Sequence, residues 1–425
     1  MTPGACVSAA IEILEYTLAS NKQPFDVFIQ QYFKQRRYAG SKDRRIVLDY
    51  VYGVLRTFYK LTYLAQKHHF QKISFRFYLL IYCRFFLNKQ ITELEEWFSG
   101  MGHSPFPLTN EERNLLNSIS TKTFVFPEWA EANIPEFLWS DLQSIFGTNT
   151  SVEIRSLNQE ATVDLRVNIL KTSREFIKEA LKNEGIDSIE TPYSPFGLRL
   201  QNRINLKNHH LYQQGLFEFQ DEASQLISLL CNACETHTVL DYCAGAGGKA
   251  LALSMIMNGQ GSIDTYDISL DRLKKAEFRA HKAGAQNISF LKHEPVKTYN
   301  RVLVDAPCSG IGTWRRHPEW RLTLTQKELK SLADLQLEIL FKASNYVKQE
   351  GRLIYVTCSI LASENEKIVN DFLFQNPQFT IIPVSNIWHK VVSVPFQITS
   401  EFLRFTPYQH KTDGFFIAIL ENKAK

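Results

Sequence analysis

Three short apolar runs in the second half of this chain each end on small or reactive residues. They are Val239–Cys243, Arg301–Cys308 and Arg352–Ser359, and the first leads directly into the glycine-rich turn Ala244–Lys249. Each run has the length and β-branched content of a strand buried in a parallel sheet. Because helical patterns separate the runs, residues 221–425 are predicted to form an α/β domain with a doubly wound, mostly parallel sheet.

The first 220 residues carry two other patterns. Residues 1–140 repeat apolar side chains at helical spacing, which predicts an all-helical domain. Residues 141–220 are predicted to form a small α+β domain, with a strand at 162–167 and a helix at 173–184. The strands expected in the larger domain are 238–243, 262–267, 287–291, 301–306 and 352–357, closed by an antiparallel pair at 379–384 and 414–420.

Chain length, net charge, apolar runs and cysteine spacing limit the classes of protein to which this chain can belong. A chain of 425 residues is expected to form two or three domains, and its net charge of +4 permits a polyanionic partner without requiring one. We find no secretory leader and no run of about 20 apolar residues. The seven cysteines lack a disulfide-like spacing. We therefore expect a cytoplasmic protein, a monomer, with no membrane segment.

The spacing of Cys231 and Cys234 is the one cysteine pattern typical of metal sites. No second pair and no histidine cluster accompanies these two residues, and they continue an apolar helical pattern. Packing in the core is therefore the favoured interpretation, and we expect no metal.

The glycine-rich turn predicts a cofactor site. Glycines between a strand and a helix allow backbone amides to approach a ligand closely. Asp267 lies at the carboxyl end of the next predicted strand, where an acid can bind ribose hydroxyls, and it is better placed than Asp264. The pattern fits a dinucleotide as well as S-adenosylmethionine, and glycines that only form a tight turn remain a third interpretation.

Two cysteines at strand ends indicate chemistry on a small ring. If the strands that precede Cys308 and Cys358 are neighbours about 4.8 Å apart, both thiols can touch one ring. Carbon 5 of cytosine becomes nucleophilic when a thiolate adds to carbon 6, and a second group must later help remove the carbon 5 proton. These two thiols and Asp305 supply such a set, although spacing does not decide which thiol is the nucleophile. The alternative is that each cysteine is a small buried hydrophobe.

These residues resemble the RsmB/Sun-type family of RNA cytosine-5 methyltransferases. The resemblance covers about 160–420, and its motif segments are Asp305–Glu319, Tyr355–Ser359 with Ser363–Glu366, Arg404–Pro407 with Thr412–Phe416, and Gly215–Ser224. More loosely, Gly40–Arg44 and Tyr52–Arg56 are similar to the NusB-like helical domain of the bacterial rRNA-modifying branch. The resemblance implies a Rossmann-like methyltransferase domain.

The resemblance also implies roles for individual residues. Cys358 matches the family nucleophile, Cys308 matches the cysteine assigned to product release, and Asp305 matches an acid near the cofactor methyl group and the target base. The implied cofactor is S-adenosyl-L-methionine, and the matching positions are Cys243, Ala244, Gly245, Ala246, Gly247, Gly248, Lys249, Asp267 and Asp305. Arg315 and Arg316, beside the predicted active-site loop, are expected to contact RNA phosphates.

The chain departs from the family pattern at two places. The turn contains Ala244-Gly-Ala-Gly-Gly-Lys-Ala250, whereas the family usually has Ala-Ala-Pro-Gly-Gly-Lys-Thr. The family also places an aspartate against the adenine after the third strand, and this chain has none there. His293 and Glu294 are the candidates for that contact.

The sequence thus predicts an enzyme that converts an RNA cytosine to 5-methylcytosine through a covalent cysteine adduct. The target base is expected to be single-stranded or flipped out of its stack. A substrate in small-subunit (16S) rRNA follows from the domain layout of the resembling branch. The alternatives are a non-catalytic RNA-binding or ribosome-assembly factor with a degenerate methyltransferase fold, and a nicotinamide-dependent enzyme.

Overall fold

The computed structural model describes residues 1–17, 25–68, 74–119, 124–395 and 400–423, and the chain divides into two compact units. The helical unit comprises Met1–Asn158 and Arg316–Leu324, and the α/β unit comprises Gln159–Arg315 and Thr325–Lys425. The helical unit thus includes short helices beyond residue 140, and the expected domain boundaries at 140 and 220 stay predictions. Within the described ranges, no helix is both long and apolar enough to cross a membrane.

The helical unit follows the predicted apolar periodicity. In the helix Ser41–Arg56, for example, Val47, Val51 and Val54 recur at helical spacing and are fully buried. The first helix is capped by the Thr2 hydroxyl, which accepts from the Ala5 amide at 3.2 Å. The helices are α1 Pro3–Tyr16, α2 Phe25–Gln35, α3 Ser41–Arg56, α4 Phe58–Lys67, α5 Phe75–Ile81, α6 Ile91–Trp97, α7 Asn110–Ser118, α8 Glu128–Glu131, α9 Trp139–Phe146 and α10 Thr150–Ser156.

The segment Arg316–Leu324 belongs to the helical unit although it is far away in sequence. Its Arg321 is almost fully buried and donates to the Asn158 side-chain oxygen at 2.9 Å. The Tyr59 hydroxyl in turn donates to the carbonyl of Arg321 at 2.8 Å. Hydrogen bonds to a buried guanidinium offset the cost of removing its charge from water, and they fix this segment in place.

The small α+β region of the α/β unit has the expected elements. Its antiparallel sheet has the strand order β2-β3-β1-β4. The predicted strand 162–167 and helix 173–184 are confirmed to within two residues. The elements are β1 Asp164–Val167, α11 Arg174–Asn183, β2 Ser188–Glu190, β3 Gly197–Leu200, α12 His210–Gln213 and β4 Phe217–Phe219.

The rest of the α/β unit is the predicted doubly wound sheet. Its strand order is β10-β12-β9-β8-β5-β6-β7, with β11 paired to β12. The five predicted parallel strands and the antiparallel closing pair are confirmed, and the short strand β11 is an addition. The elements are α13 Glu222–Leu230, β5 Thr238–Asp241, α14 Gly248–Ile256, β6 Ser262–Tyr266, α15 Leu270–Ala283, β7 Ile288–Leu291, β8 Tyr299–Asp305, α16 Gln326–Ser344, β9 Val347–Thr357, α17 Glu366–Gln375, β10 Phe379–Ile381, α18 Val384–Val391, β11 Leu403–Phe405, α19 Pro407–His410 and β12 Phe415–Asn422.

The strand order places the candidate residues at one edge of this sheet. Strand β5 pairs in parallel with β6 on one side and with β8 on the other, and β8 pairs in parallel with β9. The carboxyl ends of β5, β6, β8 and β9 therefore lie side by side. The order reverses at β5, and such a switch point is where open α/β sheets bind their ligands.

Candidate active site

The two cysteines at the carboxyl ends of β8 and β9 meet. Cys308 follows β8 by three residues, and Cys358 follows β9 directly. Their sulfur atoms are 3.3 Å apart, and both side chains are half-buried. The expected convergence of the two thiols is therefore present, because the parallel pairing of the strands delivers both loops to the same edge.

The two thiols differ in their electrostatic surroundings. The hydrogen bond with Cys358 raises the pKa of the Cys308 thiol well above its ordinary value, and burial and the nearby charge of Glu364 add to this effect. At neutral pH, Cys308 is therefore a thiol that keeps its proton. A protonated thiol is a poor nucleophile, and it can remove a proton from a ring only after its own proton has left.

A buried carboxylate joins the loops that carry the thiols. Glu364 lies in the turn that follows Cys358, and its oxygens accept from the Ser309 amide at 2.8 Å and from the Ser309 hydroxyl at 2.5 Å. Its carboxylate also accepts from the Gln336 side-chain amide at 3.0 Å. These bonds span the two loops, so that Glu364 holds the positions of the thiols relative to each other.

Two glycines bring the closing segment against the same loops. The Gly414 amide donates to the Gly312 carbonyl at 2.8 Å, and the Gly312 amide donates to the Cys358 carbonyl at 3.0 Å. A Cβ atom on Gly414 would lie 2.6 Å from the Gly312 Cα and 2.8 Å from the side chain of Ile360. Only glycine allows this approach of the two backbones, and the approach supports the backbone of Cys358.

The substitution Gly414→Ala is expected to lower the free energy of unfolding by about 1–3 kcal/mol, because the new methyl group overpacks a rigid backbone contact. Thermal unfolding measures the effect. A Gly414→Ala protein as stable as the wild-type protein would contradict the contact between the two glycine backbones.

A cavity of about 700 Å³ lies at the carboxyl ends of β5, β6 and β8. Of the predicted cofactor positions, those that line it are Cys243, Ala244, Gly245, Ala246, Gly248, Lys249, Asp267 and Asp305. Gly247 is the exception. A Cβ atom on Gly247 would lie 2.8 Å from Ala276 of α15, and its φ is +76°, so this glycine serves the packing of the turn against a helix rather than a ligand contact.

The glycine turn is held open towards the cavity by Asp267. One carboxylate oxygen of Asp267 accepts from the Gly245 amide at 2.8 Å, and the other accepts from the Ser269 amide at 2.8 Å. Gly245 has a φ of +55°, and a Cβ atom there would meet nothing within 4 Å. The backbone therefore forms an open cradle, and the Asp267 carboxylate keeps lone pairs that can accept from ribose hydroxyls.

An ion pair connects the cavity with the cysteine loops. The Lys249 ammonium lies 2.5 Å from Asp305, three residues before Cys308. Burial acts to lower the pKa of Lys249, but the charge and hydrogen bond of Asp305 outweigh it, and the pKa is raised. Lys249 is therefore a fixed positive charge at the point where the cavity meets the thiols.

Asp241 is an orphaned carboxylate at the end of β5. It is almost fully buried, and among the described residues only the Ala250 amide contacts its carboxylate, as a weak donor. Burial raises the pKa of Asp241 to about 7, with the charges of Asp305 and Asp267 adding and that of Lys249 opposing. A buried acid without partners beside a cavity is suited to a positively charged group of a ligand.

The pH dependence of stability should report on Asp241 in the cofactor-free protein. Its folded pKa is about 7, against about 3.9 for an unfolded aspartate, so between these values the native state binds a proton that the unfolded state has lost. The contribution of Asp241 to the free energy of unfolding is therefore fully present below about pH 4. It falls as the pH rises, by up to about 4 kcal/mol at pH 8. We expect Asp241→Asn to be more stable than wild type at pH 8 and similar to it at pH 4.5, in denaturant unfolding. A stability difference that does not change with pH would contradict the shifted pKa.

The overall charge of the cavity distinguishes between a dinucleotide and S-adenosylmethionine as the cofactor. Its carboxylates are Asp241, Asp267, Glu294, Asp305 and Glu338, and its cations are Lys249, Arg272 and Lys342. A predominantly acidic cavity favours a ligand with sulfonium and ammonium charges, and it disfavours the diphosphate of a dinucleotide. Together with the cradle at Gly245, this charge fits S-adenosylmethionine.

The arginine pair does not behave as the sequence predicts. Arg315 is buried, with its guanidinium paired to Asp413 and lying 3.4 Å from Asp221. This arrangement argues against the predicted phosphate contact, since the Arg315 guanidinium already contacts two buried carboxylates. Arg316 is half-buried and belongs to the helical unit, and its contact with RNA stays a prediction.

Among the described residues, one group of side chains has metal-like spacing. The ligand atoms of Glu184, His209 and His210 lie within 4.8 Å of one another. Each histidine Nε2 bonds to Glu184, at 3.0 Å and 2.8 Å, and the other ring nitrogen of His209 accepts from the Leu211 amide. His209 must then carry its proton on Nε2, where a metal would need a lone pair. Hydrogen bonds therefore account for this group.

Sequence reasoning missed several residues of the cavity. They are Tyr242, Tyr266, Leu335, Glu338, Ile339 and Lys342. The last four lie on α16, which follows β8, and no local motif marks that helix as part of a site. Asp241 carried a usable signal, because a charged residue inside an otherwise apolar strand is rarely buried without a reason.

Two family models match the chain. The model described as 16S rRNA methyltransferase RsmB/F matches residues 228–421, and a ferredoxin-like domain of RsmF/B-like methyltransferases matches residues 134–207. The second match begins before the small α+β region and ends within it, before α12 and β4.

Individual relatives agree with these models. A probable ribosomal RNA small subunit methyltransferase B of Synechocystis is 29% identical over 307 residues, which are 70% of this chain and 67% of that protein. A 28S rRNA (cytosine-C(5))-methyltransferase of Mus musculus is 30% identical over 303 residues, 67% of this chain and 38% of that protein. The crystal structure of PH0851 has a TM-score of 0.78 at 24% identity, covers 99% of both chains and shows the same fold.

Proposed function

The chain belongs to the RsmB/F family of S-adenosylmethionine-dependent rRNA methyltransferases, and from that premise we propose that it methylates carbon 5 of a cytosine in small-subunit (16S) rRNA through a covalent adduct with Cys358. The observation that supports the proposal is the pair of sulfur atoms 3.3 Å apart, one of them on the residue that follows Pro307 of the cavity lining. Related rRNA methyltransferases of small-subunit and cytosine-C5 type support the substrate class.

Cys358, Asp305 and Lys249 have different roles in the addition and methyl-transfer steps. The sulfur of Cys358 adds to carbon 6 of the cytosine, which moves electron density to carbon 5 and the ring nitrogen. Asp305, held by Lys249 at 2.5 Å, faces the base from the cofactor side, and this pair stabilises the ring as charge develops. S-adenosylmethionine, when bound, supplies the methyl group that carbon 5 takes.

Release requires the loss of a proton and of the thiolate. The proton on carbon 5 must leave so that the carbon–sulfur bond to Cys358 breaks and the aromatic ring is restored. Cys308, which lies 3.3 Å from the sulfur of Cys358, is the group assigned to this step. Its own thiol proton first passes to water, so that its thiolate can take the proton from carbon 5. The products are then 5-methylcytosine, the demethylated cofactor and one proton.

RNA is the proposed partner of the surfaces around the site. A base can reach two thiols in a half-buried loop only if it leaves its stack, so the target cytosine is single-stranded or flipped. We assign the helical unit and the antiparallel sheet β2-β3-β1-β4 to holding the surrounding rRNA, with Arg316 as a phosphate contact. Action on ribosomal RNA implies a cytoplasmic location.

A non-catalytic assembly factor is the alternative function. It would need neither converging thiols nor a buried acid such as Asp241 beside a cavity, whereas the altered glycine turn is the feature that favours it. The open cradle at Gly245 and the charge of the cavity support a working cofactor site despite that alteration.

The direct test is to incubate the protein with S-adenosylmethionine and 16S rRNA from cells that lack the gene, followed by bisulfite sequencing. We expect one cytosine to become resistant to deamination. An RNA that remains unmethylated, or that gains its methyl group on another base, would contradict the proposed reaction.

A further inference from the structure

The glycine turn Ala244–Lys249 is held by side chains from outside the cavity. The Ala246 carbonyl accepts from the Arg279 guanidinium at 2.5 Å, and the Gly248 carbonyl accepts from the Arg166 guanidinium at 2.7 Å. Neither arginine is among the residues that line the cavity. We propose that Arg279 is a positioning residue for the cofactor, because it fixes the middle of the turn in the shape that binds S-adenosylmethionine; this inference rests on the proposed function, in which that cofactor is the methyl donor.

The backbone of this turn has much conformational freedom of its own. Three of its residues, Gly245, Gly247 and Gly248, are glycines, and Ala246 stands where the resembling family usually has proline. Proline fixes its own φ, whereas glycine populates positive and negative φ about equally. A turn of this composition therefore needs restraint from other parts of the fold to keep one shape.

The two ends of the turn are anchored without Arg279. At the start, the Asp267 carboxylate accepts from the Gly245 amide at 2.8 Å. At the end, Arg166 donates to the carbonyl of Gly248, which is also the first residue of α14. Arg166 is itself only 3% exposed, so water competes little for this bond. The restraint that depends on Arg279 is therefore confined to the peptide groups between these anchors.

The peptide group between Ala246 and Gly247 is held at both of its polar atoms. The Gly247 amide donates to the Ala244 carbonyl at 2.9 Å, which closes the turn from within. The carbonyl of the same peptide group accepts from Arg279, which lies on α15. Because a peptide group is planar and rotates as one unit, a bond at the carbonyl also fixes the amide. Loss of Arg279 should free this peptide group while both ends of the turn stay anchored.

A buried carboxylate of the small antiparallel sheet directs the Arg279 side chain. Glu218 lies on β4, is 4% exposed, and accepts from the second terminal nitrogen of Arg279 at 3.0 Å. Arg166 on β1 is the direct cross-strand neighbour of Glu218. A guanidinium presents its donors in a rigid planar fork, so the bond to Glu218 aims the other nitrogen at the Ala246 carbonyl. The small sheet thus supports the cofactor turn through both of these residues.

Loss of Arg279 is expected to weaken cofactor binding although no contact with the cofactor is removed. If only a fraction of the protein has the binding-competent turn, the apparent dissociation constant rises by the inverse of that fraction. A hydrogen bond from a charged donor changes such an equilibrium by roughly 10- to 100-fold. Arg279→Met should therefore bind S-adenosylhomocysteine about 10-fold or more weakly than wild type.

Titration calorimetry with S-adenosylhomocysteine measures this effect without RNA or turnover. Lys275→Met is the matched control, because it removes one positive charge from an exposed position of the same helix, and it should bind the ligand like wild type. Arg279→Lys is the second variant, which keeps a positive charge beside Glu218 but lacks the two-nitrogen fork. It should weaken binding by about threefold or more, and it tests the inference if the methionine variant does not fold.

Two further readouts separate positioning of the turn from general support of the fold. In amide hydrogen exchange, the peptide that contains Gly247 should exchange faster in Arg279→Met than in wild type, and saturating S-adenosylhomocysteine should remove the difference. In methyl transfer to 16S rRNA, the KM for S-adenosylmethionine should rise by about the same factor as the dissociation constant, with kcat within about twofold of wild type. A destabilised fold would instead lower the active fraction and with it kcat.

The outcomes distinguish this inference from the function on which it rests. Arg279 variants that bind S-adenosylhomocysteine as tightly as wild type would overturn the role of Arg279. A fall in thermal stability or in kcat, with the affinity and the KM unchanged, would assign Arg279 to the fold alone and overturn it as well. Wild-type protein that binds no S-adenosylhomocysteine would overturn the use of S-adenosylmethionine together with the inference. Wild-type protein that binds this ligand but methylates no RNA would contradict the proposed reaction, and calorimetry would still decide the role of Arg279.

Discussion

Cys358→Ala is expected to lower the rate of cytosine methylation by roughly 10,000-fold or more, because no addition to carbon 6 can occur without the nucleophile. Binding of S-adenosylhomocysteine should stay within about twofold of wild type, since mutations that share no contact with a ligand change its affinity little. Cys358 is not among the residues that line the cofactor cavity. Single-turnover methyl transfer and calorimetry measure the two quantities.

The control for this substitution is Cys234→Ala. Cys234 is an exposed free cysteine of the same unit, away from the thiol pair, so its loss should leave both quantities unchanged. If Cys358→Ala methylated RNA at the rate of the control, the nucleophile would have to be another group. If it lost cofactor binding as well, the loss of rate would reflect a damaged fold.

Cys308→Ala is expected to trap a covalent complex between protein and RNA. Addition and methyl transfer use Cys358 and should proceed, but the step that frees the sulfur lacks its acid–base group. The 3.3 Å contact between the sulfurs places Cys308 next to the bond that must break. A denaturing gel with labelled RNA should show a band of retarded mobility for most of the protein when S-adenosylmethionine is present.

The double variant Cys308→Ala/Cys358→Ala is the control for the trapped complex. It has lost the sulfur that forms the bond, so no retarded band should appear. A Cys308→Ala protein that turns over normally and leaves no adduct would remove Cys308 from the mechanism. A band that persists in the double variant would assign the adduct to a different residue.

The sequence was sufficient to predict the convergence of the two thiols. Parallel strands of buried β-branched residues bring their carboxyl ends to one edge, so a cysteine after each of two neighbouring strands must lie close to the other. The same logic predicted a ligand site at the glycine turn, whereas the family resemblance implied its individual positions, and all of these line the cavity except Gly247. That glycine is required by α15, which packs against the turn, and a strand–turn–helix motif does not reveal such a neighbour.

The contacts that the sequence did not predict join residues that are far apart in the chain. Arg315 was expected to be available for phosphate because it follows the active-site loop, but Asp413, 98 residues further along the chain, pairs with it. The close approach of Gly312 and Gly414 likewise joins distant segments. Local rules describe strands, turns and caps, whereas the partner of a buried charge depends on the tertiary fold.

The boundary of the helical unit shows the same limitation. Residues after Arg315 belong to the motif of the active-site loop, yet Arg321 is buried among residues of the helical unit. The predicted boundary at 140 rested on apolar side chains at helical spacing, and such a local pattern cannot reveal that a short segment from the middle of the chain packs with the helical unit.

The measurement that tests the central claim most directly uses RNA in which the target cytosine is replaced by 5-fluorocytosine. The fluorine cannot leave as a proton does, so a reaction that begins with addition of a sulfur must stop at the covalent stage. Digestion and mass spectrometry of the wild-type complex should then identify the nucleotide on Cys358. A nucleotide found on Cys308, or methyl transfer to the fluorinated RNA with no covalent complex, would contradict the account.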